Sequence, residues 1–404
     1  MSETVIIIGA GPAGNHAAYL LAKKGFKVAI YENHNIIGRP IQCTGILTSA
    51  IYDIYNVPKE VIVNRVKSTR VFSPSEKYVD INLKGDIIVD RHLFDKSIAD
   101  KAKDAGAQYF LDSTFIGLEN NSADSSIAII KSKMKTKNEK IKVSYDYLIG
   151  ADGPNSAVAR SAGISGNRKF FAGIQATFKL ESDPDIIEFY PHIGQLAWIT
   201  PESDCTARVG IAGYAYADNL PCNRDTNPRL IFENFCRNRI GEGWMSKVID
   251  WQSGPIPVYD PSIIIEKGNI FTVGDSAAQV KATTAGGIIQ GMNAAECISR
   301  SIETGAKGDF YTKLCNKKIG RELNTSLFVR NVFDTFKEKD YDELVKLFGN
   351  EKVKKILSTH DRDKISGFFL KLIIAEPKLM KFFNHKSISE FVKLSPKLLF
   401  SCGQ

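Results

Sequence analysis

The sequence predicts an α/β architecture: a parallel βαβ domain at the N-terminus, an antiparallel β-sheet domain beside it and a helical C-terminal region. Three observations lead there. The β-branched run Val5–Ile8 stops at glycine and is followed by helical spacing and a second strand, the pattern of a parallel crossover unit. Residues 169–216 are short aromatic and β-branched runs with little helical period. Helical periodicity returns after Asp309, with breaks at Pro377 and Pro396.

Val5–Ile8 reads as a buried strand, and residues 12–24 as a helix that Gly25 terminates. Lys27–Tyr31 is the second strand and runs into Glu32. Residues 33–49 read as a loop because Gly38, Pro40 and Gly45 interrupt any period. Asp90–Ala105 is predicted helical, Gln108–Leu111 and Thr114–Leu118 extended. Ser126–Lys131 and Ile141–Ile149 are expected to pair as a hairpin across the Lys-rich turn 132–140. Arg229–Arg239 and Gly287–Ile302 read as helices, and Asn269–Val273 as another buried strand. The first domain is then discontinuous, 1–165 with 254–305. The sheet domain takes 166–253, and the helical region 306–404.

A chain of 404 residues exceeds one ordinary core. Hydrophobic content of 43% with 24% charged residues is globular and argues against disorder. The net charge of +8 suits an anionic substrate or lipid surface. No basic and aromatic pattern of a nucleic-acid module accompanies it, so no nucleic acid partner is expected. Seven cysteines lie scattered without CxxC spacing, and six histidines show no paired ligand spacing. No metal is expected. With no signal peptide and no apolar stretch of roughly 20 residues, the expectation is a cytoplasmic protein, at most peripheral at a membrane.

The first chemical motif is Gly9-Ala10-Gly11-Pro12-Ala13-Gly14, a GxGxxG between strand and helix. Its glycines permit the tight turn, close approach to a pyrophosphate and helix packing on the strand, while the helix N-terminus offers N–H groups to phosphate. Glu32 ends the second strand at the spacing from which an acid accepts hydrogen bonds from ribose hydroxyls. Together these predict a Rossmann-like dinucleotide site. The second motif is Phe271–Ala278 with Gly286-Gly287-Ile288. Asp275 at the strand end can hold a polyol hydroxyl, and the glycine pair opens a helix.

Taken in order with Asp90-Arg91 and Asp152-Gly153, these motifs resemble the FAD-containing group that includes aromatic hydroxylases and geranylgeranyl reductases. Within it, Gly38–Gly45 (GRPIQCTG) is similar to the cysteine-bearing loop of the geranylgeranyl reductase branch, which includes archaeal digeranylgeranylglycerophospholipid reductases. Trp198–Gly210 resembles that branch's Tyr-x-Trp-x-Phe-Pro motif followed by Gly-x-Gly, and the tail after Gly308 resembles its helical region. Trp198, Pro201 and Gly210 fit, whereas Leu196 stands for the tyrosine, Thr200 for the phenylalanine and Ala212 for the second glycine.

The resemblance implies a Rossmann-like FAD-binding domain. Gly9, Gly11, Ala13, Gly14 and Glu32 would hold the ADP half and Asp275 the ribityl chain; Cys43, Thr44, Arg91, Gly287 and Ile288 would lie beside the cofactor. It implies an FAD-dependent reductase of geranylgeranyl double bonds, with Cys43 as the candidate catalytic residue and Trp198 and Leu196 against the substrate. Phe189 and Tyr190 are expected in the core. The implied partners are a polyprenyl lipid and an electron donor (ferredoxin, a nicotinamide or another reduced flavin). An FAD monooxygenase of an aromatic or isoprenoid substrate stays open, as does an electron carrier to quinone. The C-terminal lysines, from Lys337 to Lys386, surround Phe368, Phe369, Leu370, Leu372 and Ile373, which suits either a basic amphipathic face at an anionic membrane or a plain solvated helix.

Overall fold

The computed structural model describes residues 3–119, 126–132, 139–214 and 227–384. Its first sheet has six strands in the order Glu266–Lys267, Ile270–Thr272, Tyr147–Gly150, Thr4–Ile8, Lys27–Tyr31 and Gln108–Phe110. All neighbours are parallel except the first pair. Val5, Ile6 and Ile7 are buried on both faces of the sheet, which accounts for a continuous apolar run in place of alternation. Helices Pro12–Lys23 and Ile288–Glu303 pack on one another over this sheet.

The stretch read as one strand at 141–149 is two. Glu139–Ser144 pairs with Ile127–Ser132, which pairs with Ser113–Leu118. Tyr147–Gly150 leaves that hairpin and enters the parallel sheet. The switch occurs at Asp146, whose N–H donates to Thr4 O at 2.9 Å and whose carboxylate accepts from Thr4 N at 2.7 Å. Apolar pattern alone does not distinguish one strand from two that meet end to end.

A second sheet runs in the order Val248–Pro257, Phe170–Lys179, Thr206–Tyr214, Leu196–Pro201, Ile186–Tyr190, Ser68–Phe72 and Tyr78–Asn82. It is antiparallel apart from the parallel pairing of Ile186–Tyr190 with Ser68–Phe72. Its last two strands belong to the stretch 1–165 that the sequence assigned wholly to the first domain. The chain therefore enters the second sheet once before the helix Arg91–Asp104 and again at Phe170.

The C-terminal region folds as helices Phe310–Cys315, Arg321–Phe333, Glu338–Phe348, Glu351–Thr359 and Ser366–Ala375. It joins both sheets. Tyr311 is fully buried in the core of the first domain; its hydroxyl donates to Thr272 O at 2.8 Å and accepts from Gln279 Nε2 at 3.2 Å. On the other side, Tyr214 donates to Asp334 at 2.6 Å and Arg330 donates to Gln195 O at 2.8 Å. Phe368, Phe369 and Leu372 are buried in the protein's own core, whereas Leu370 and Ile373 are partly exposed. Lys354, Lys364, Lys371 and Lys381 each face an acidic or histidine partner, and Lys386 lies outside the described residues.

Tyr311→Phe leaves Gln279 Nε2 and Thr272 O without this partner in a closed core. It is expected to cost about 1–3 kcal/mol of stability, read as a lowered denaturation midpoint with an unchanged m-value.

Candidate functional site

The carboxyl ends of the parallel strands, the Gly38–Thr48 loop and one face of the second sheet enclose a cavity of about 630 Å³. Every site residue named from the sequence lies on its wall: Gly9, Gly11, Ala13, Gly14, Glu32, Cys43, Thr44, Arg91, Asp275, Gly287, Ile288, Leu196 and Trp198.

The Gly-rich turn is shaped by backbone crowding. A Cβ on Gly9, where φ is +102°, would stand 2.3 Å from Ala151 O, and one on Gly14 would stand 2.2 Å from Gly9 O. Gly11 differs, because a Cβ there would meet nothing within 4 Å. The helix that follows has no side-chain cap, so its first N–H groups remain for a ligand. Glu32 is buried. Its Oε2 accepts from Ala10 N at 2.7 Å, and Oε1 accepts from His34 N at 3.0 Å. Fully buried Asn15 ties the turn further by donating to Ala10 O at 2.7 Å and to Asp95 O at 3.1 Å.

Arg91 opens the helix Arg91–Asp104 and pairs with Asp95 one turn on, at 2.9 and 3.0 Å. Burial opposes its charge, but the Asp95 carboxylate and the Cys43 sulfur outweigh this and hold the guanidinium above its ordinary value. Asp275 follows Gly274, whose φ of +65° turns the chain. Among the described residues none donates a hydrogen bond to the Asp275 carboxylate. Enclosure raises its pKa, and Arg91 offsets only part of that. Asp152 instead accepts from Ser156 Oγ at 2.5 Å and from the N–H groups of Ala157 and Val158 at 2.7 and 3.1 Å, which makes it a cap for the short helix Ala157–Ser161 at the edge of the cavity.

The opposite wall belongs to the second sheet. Leu196 and Trp198 share a face as alternate residues of one strand, and Trp198 pairs directly with Gly210. A Cβ on Gly210 would lie 2.5 Å from the indole, so the glycine of the motif is the space the tryptophan occupies. Trp198 Nε1 donates to Gln175 Oε1 at 2.9 Å, and Thr44 Oγ1 donates to the same oxygen at 2.7 Å. Phe189 corrects the sequence reading. It stands opposite Trp198 in the ladder and lines the cavity with it, while Tyr190 on the other face is buried in the core. Sequence reasoning missed Gln175, Gln252, Lys281 and Arg362, which also line the cavity. The signal available was a polar residue at an inward position of an apolar strand, as for Gln175.

Comparison with known proteins bears directly on this wall. Residues 87–308, more than half of the chain, match the model of the FAD binding domain family. The chain belongs to that family. Residues 7–43 match a model described as an NAD(P)-binding Rossmann-like domain. Over 402 residues the chain is 26% identical to digeranylgeranylglycerophospholipid reductase of Methanocaldococcus jannaschii, covering 94% of this chain and 97% of the relative. It is 27% identical to the protein of that name from Methanosarcina acetivorans, covering 84% and 87%. The crystal structure of a geranylgeranyl bacteriochlorophyll reductase-like protein from Thermoplasma acidophilum superposes with a TM-score of 0.78 at 26% identity, covering 98% of this chain and all of that one. A flavin-dependent brominase shares the fold at a TM-score of 0.63 and 20% identity.

FAD is thus the cofactor, and the residues present suit it. An uncapped helix start would face phosphate, an open Gly11 would leave room for it, and the unpartnered Asp275 carboxylate suits a hydroxyl donor. Because enclosure raises the Asp275 pKa in the FAD-free fold, the carboxylate costs nothing below its ordinary 3.8 and destabilises the fold as pH rises through the raised value. Asp275→Asn should therefore raise the melting temperature of the FAD-free protein at neutral pH, with the gain fading as pH falls toward 3.8. The same variant should weaken FAD binding by about 1–3 kcal/mol. Melts of the apoprotein across pH, with FAD titrations beside them, check both.

Proposed function

We propose that the chain is an FAD-dependent reductase that saturates isoprenoid double bonds, with a geranylgeranyl chain on a glycerophospholipid as the substrate. The observation that carries this reading is the two-sided cavity, one end built for a dinucleotide and the other an apolar wall of Phe189, Leu196, Trp198, Ile174 and Ile256. A prenyl chain has no polar handle, so its binding rests on buried area, about 0.8 kcal/mol for each methylene removed from water. Likeness to the named lipid reductases along nearly the whole chain supports the same substrate class.

In this reading Gly9, Gly11, Ala13, Gly14 and Glu32 hold the ADP half of FAD, Asp275 holds the ribityl hydroxyls, and Gly287 and Ile288 present backbone N–H groups. Reduced FAD, when bound, would supply a hydride for one alkene carbon, and a proton drawn from solvent would complete saturation at the other. Arg91 keeps a permanent positive charge beside that region, and Cys43 and Thr44 border the reacting side. Trp198 and Leu196 orient the chain and exclude water. An external electron donor, a ferredoxin, a nicotinamide or another flavin, restores the reduced cofactor. The enzyme meets its lipid as a peripheral protein. Among the described residues no helix is long and apolar enough to cross a membrane, and exposed lysines near an anionic surface contribute roughly 1 kcal/mol each.

The purified protein should be yellow with noncovalent FAD. After anaerobic reduction it should add one H2 per double bond to a geranylgeranyl glycerophospholipid, followed by mass spectrometry. Oxygen uptake coupled to an oxygenated product would replace this reading with a monooxygenase. Binding to anionic liposomes should fall as salt rises, because exposed charges are screened; indifference to such vesicles at low salt would remove the membrane contact alone.

A further inference from the structure

We infer that Arg208 is a positioning residue for Cys43, acting from the second sheet through the backbone of the Cys43-Thr44-Gly45 turn. The inference rests on the reading of Cys43 as a residue of the reacting wall.

Arg208 lies on the strand Thr206–Tyr214 and is buried, 5% exposed. It is absent from the cavity wall and stands behind the loop that forms that wall. Its Nη1 donates to Cys43 O at 3.2 Å and to Thr44 O at 2.8 Å. Its Nη2 pairs with half-buried Glu202 from the preceding turn. The remaining groups of the loop are held as well. Val89 N donates to Gly45 O at 2.9 Å, and Thr44 Oγ1 donates to Gln175 at 2.7 Å. Gly45 has a φ of +76°, and a Cβ there would stand 2.4 Å from Val89 O and 3.2 Å from Arg208 Nη1. Three successive carbonyls are thus fixed, and the Cys43 side chain lines the cavity beside Arg91, its sulfur accepting from Gly45 N at 3.4 Å.

The chemistry explains why an arginine sits here. A guanidinium is a rigid fork that satisfies a carboxylate and two carbonyls at once, whereas an ammonium is a point donor on a flexible stem. Room for it comes from the facing strand, where Thr200, fully buried, is the direct partner of Arg208. A buried ion pair is weak evidence for stabilisation. Its use here is geometric: the turn comes from the first domain and the fork from the second, so the pair sets the distance between Cys43 and the wall of Trp198.

The test uses the FAD-loaded full-length protein. Arg208→Lys keeps the charge without the fork. Arg208→Met combined with Glu202→Met removes both charges, so that no half-buried carboxylate is left unpaired if Arg208→Met alone fails to fold. Cys43 alkylation by iodoacetamide, followed by peptide mass spectrometry with exposed Cys205 as the internal reference, should accelerate roughly tenfold in the double variant as the turn opens locally. With the lipid substrate, kcat should fall on the order of ten- to a hundredfold, with KM and FAD content nearly unchanged, and Arg208→Lys should restore part of the loss. A folded double variant whose Cys43 alkylates at the wild-type rate would overturn the inference. Alkylation needs no substrate, so a wild-type protein inert toward the prenyl lipid would refute the proposed reaction and leave this result readable.

Discussion

Everything in the cofactor crevice depends on how closely backbone approaches backbone at its floor. Gly9 lies against Ala151, Gly14 against Gly9, and Gly291 against Gly274, with room for no Cβ at the first two and little at the third, 3.1 Å from Gly274 Cα. Those contacts bring together the first strand, the fourth parallel strand and the turn before the helix Ile288–Glu303, segments far apart in sequence. Were any of them held one side-chain layer further out, the uncapped helix start and the carboxylate of Asp275 would no longer share one cavity. Hydrophobic burial supplies the driving force for this packing, and the absence of Cβ atoms decides where it converges.

The parts that were legible in the sequence are those whose signal is local. A buried parallel strand, a glycine turn and a helix with its stop occupy contiguous residues, so Val5–Glu32 and Phe271–Ile288 could be read one after another. Strands Ile62–Arg65, Ser68–Phe72 and Tyr78–Asn82 escaped because they are short and half exposed, with Val63 at 42% and Tyr78 at 53%; the last two join the second sheet only through the pairing of Ser68–Phe72 with Ile186–Tyr190, more than a hundred residues away. Phe189 illustrates the same limit. Its neighbour Tyr190 has similar chemistry, and only the ladder with Trp198 tells which of the two faces the cavity. Cys222, Cys402 and His385 fall outside the described residues.

The departures from the family motif become intelligible in register. Leu196, in place of tyrosine, faces Ala212, in place of glycine. A smaller side chain on one strand meets a larger one on its partner, which conserves the volume between them. Thr200, in place of phenylalanine, faces Arg208. Leu196 and Ala212 are therefore one packing solution written twice in the sequence.

Burial of Tyr311 inside the first domain has a consequence for how the chain matures. The crevice is assembled from residues near position 10, near 150 and near 275, Tyr311 completes the core behind it, and Asp361 ties down the Ser49 turn, its carboxylate accepting from Ser49 and Ala50 at 2.9 Å. During synthesis the N-terminal βαβ unit emerges first, yet it has no finished floor until most of the chain has followed. Closing loops of this length delays the native contacts that reward them, and the apolar wall stands open meanwhile, a condition that favours aggregation. A ligand that binds only the finished crevice captures the chain at the last step, so the supply of FAD in the cell would govern how much of the newly made protein survives.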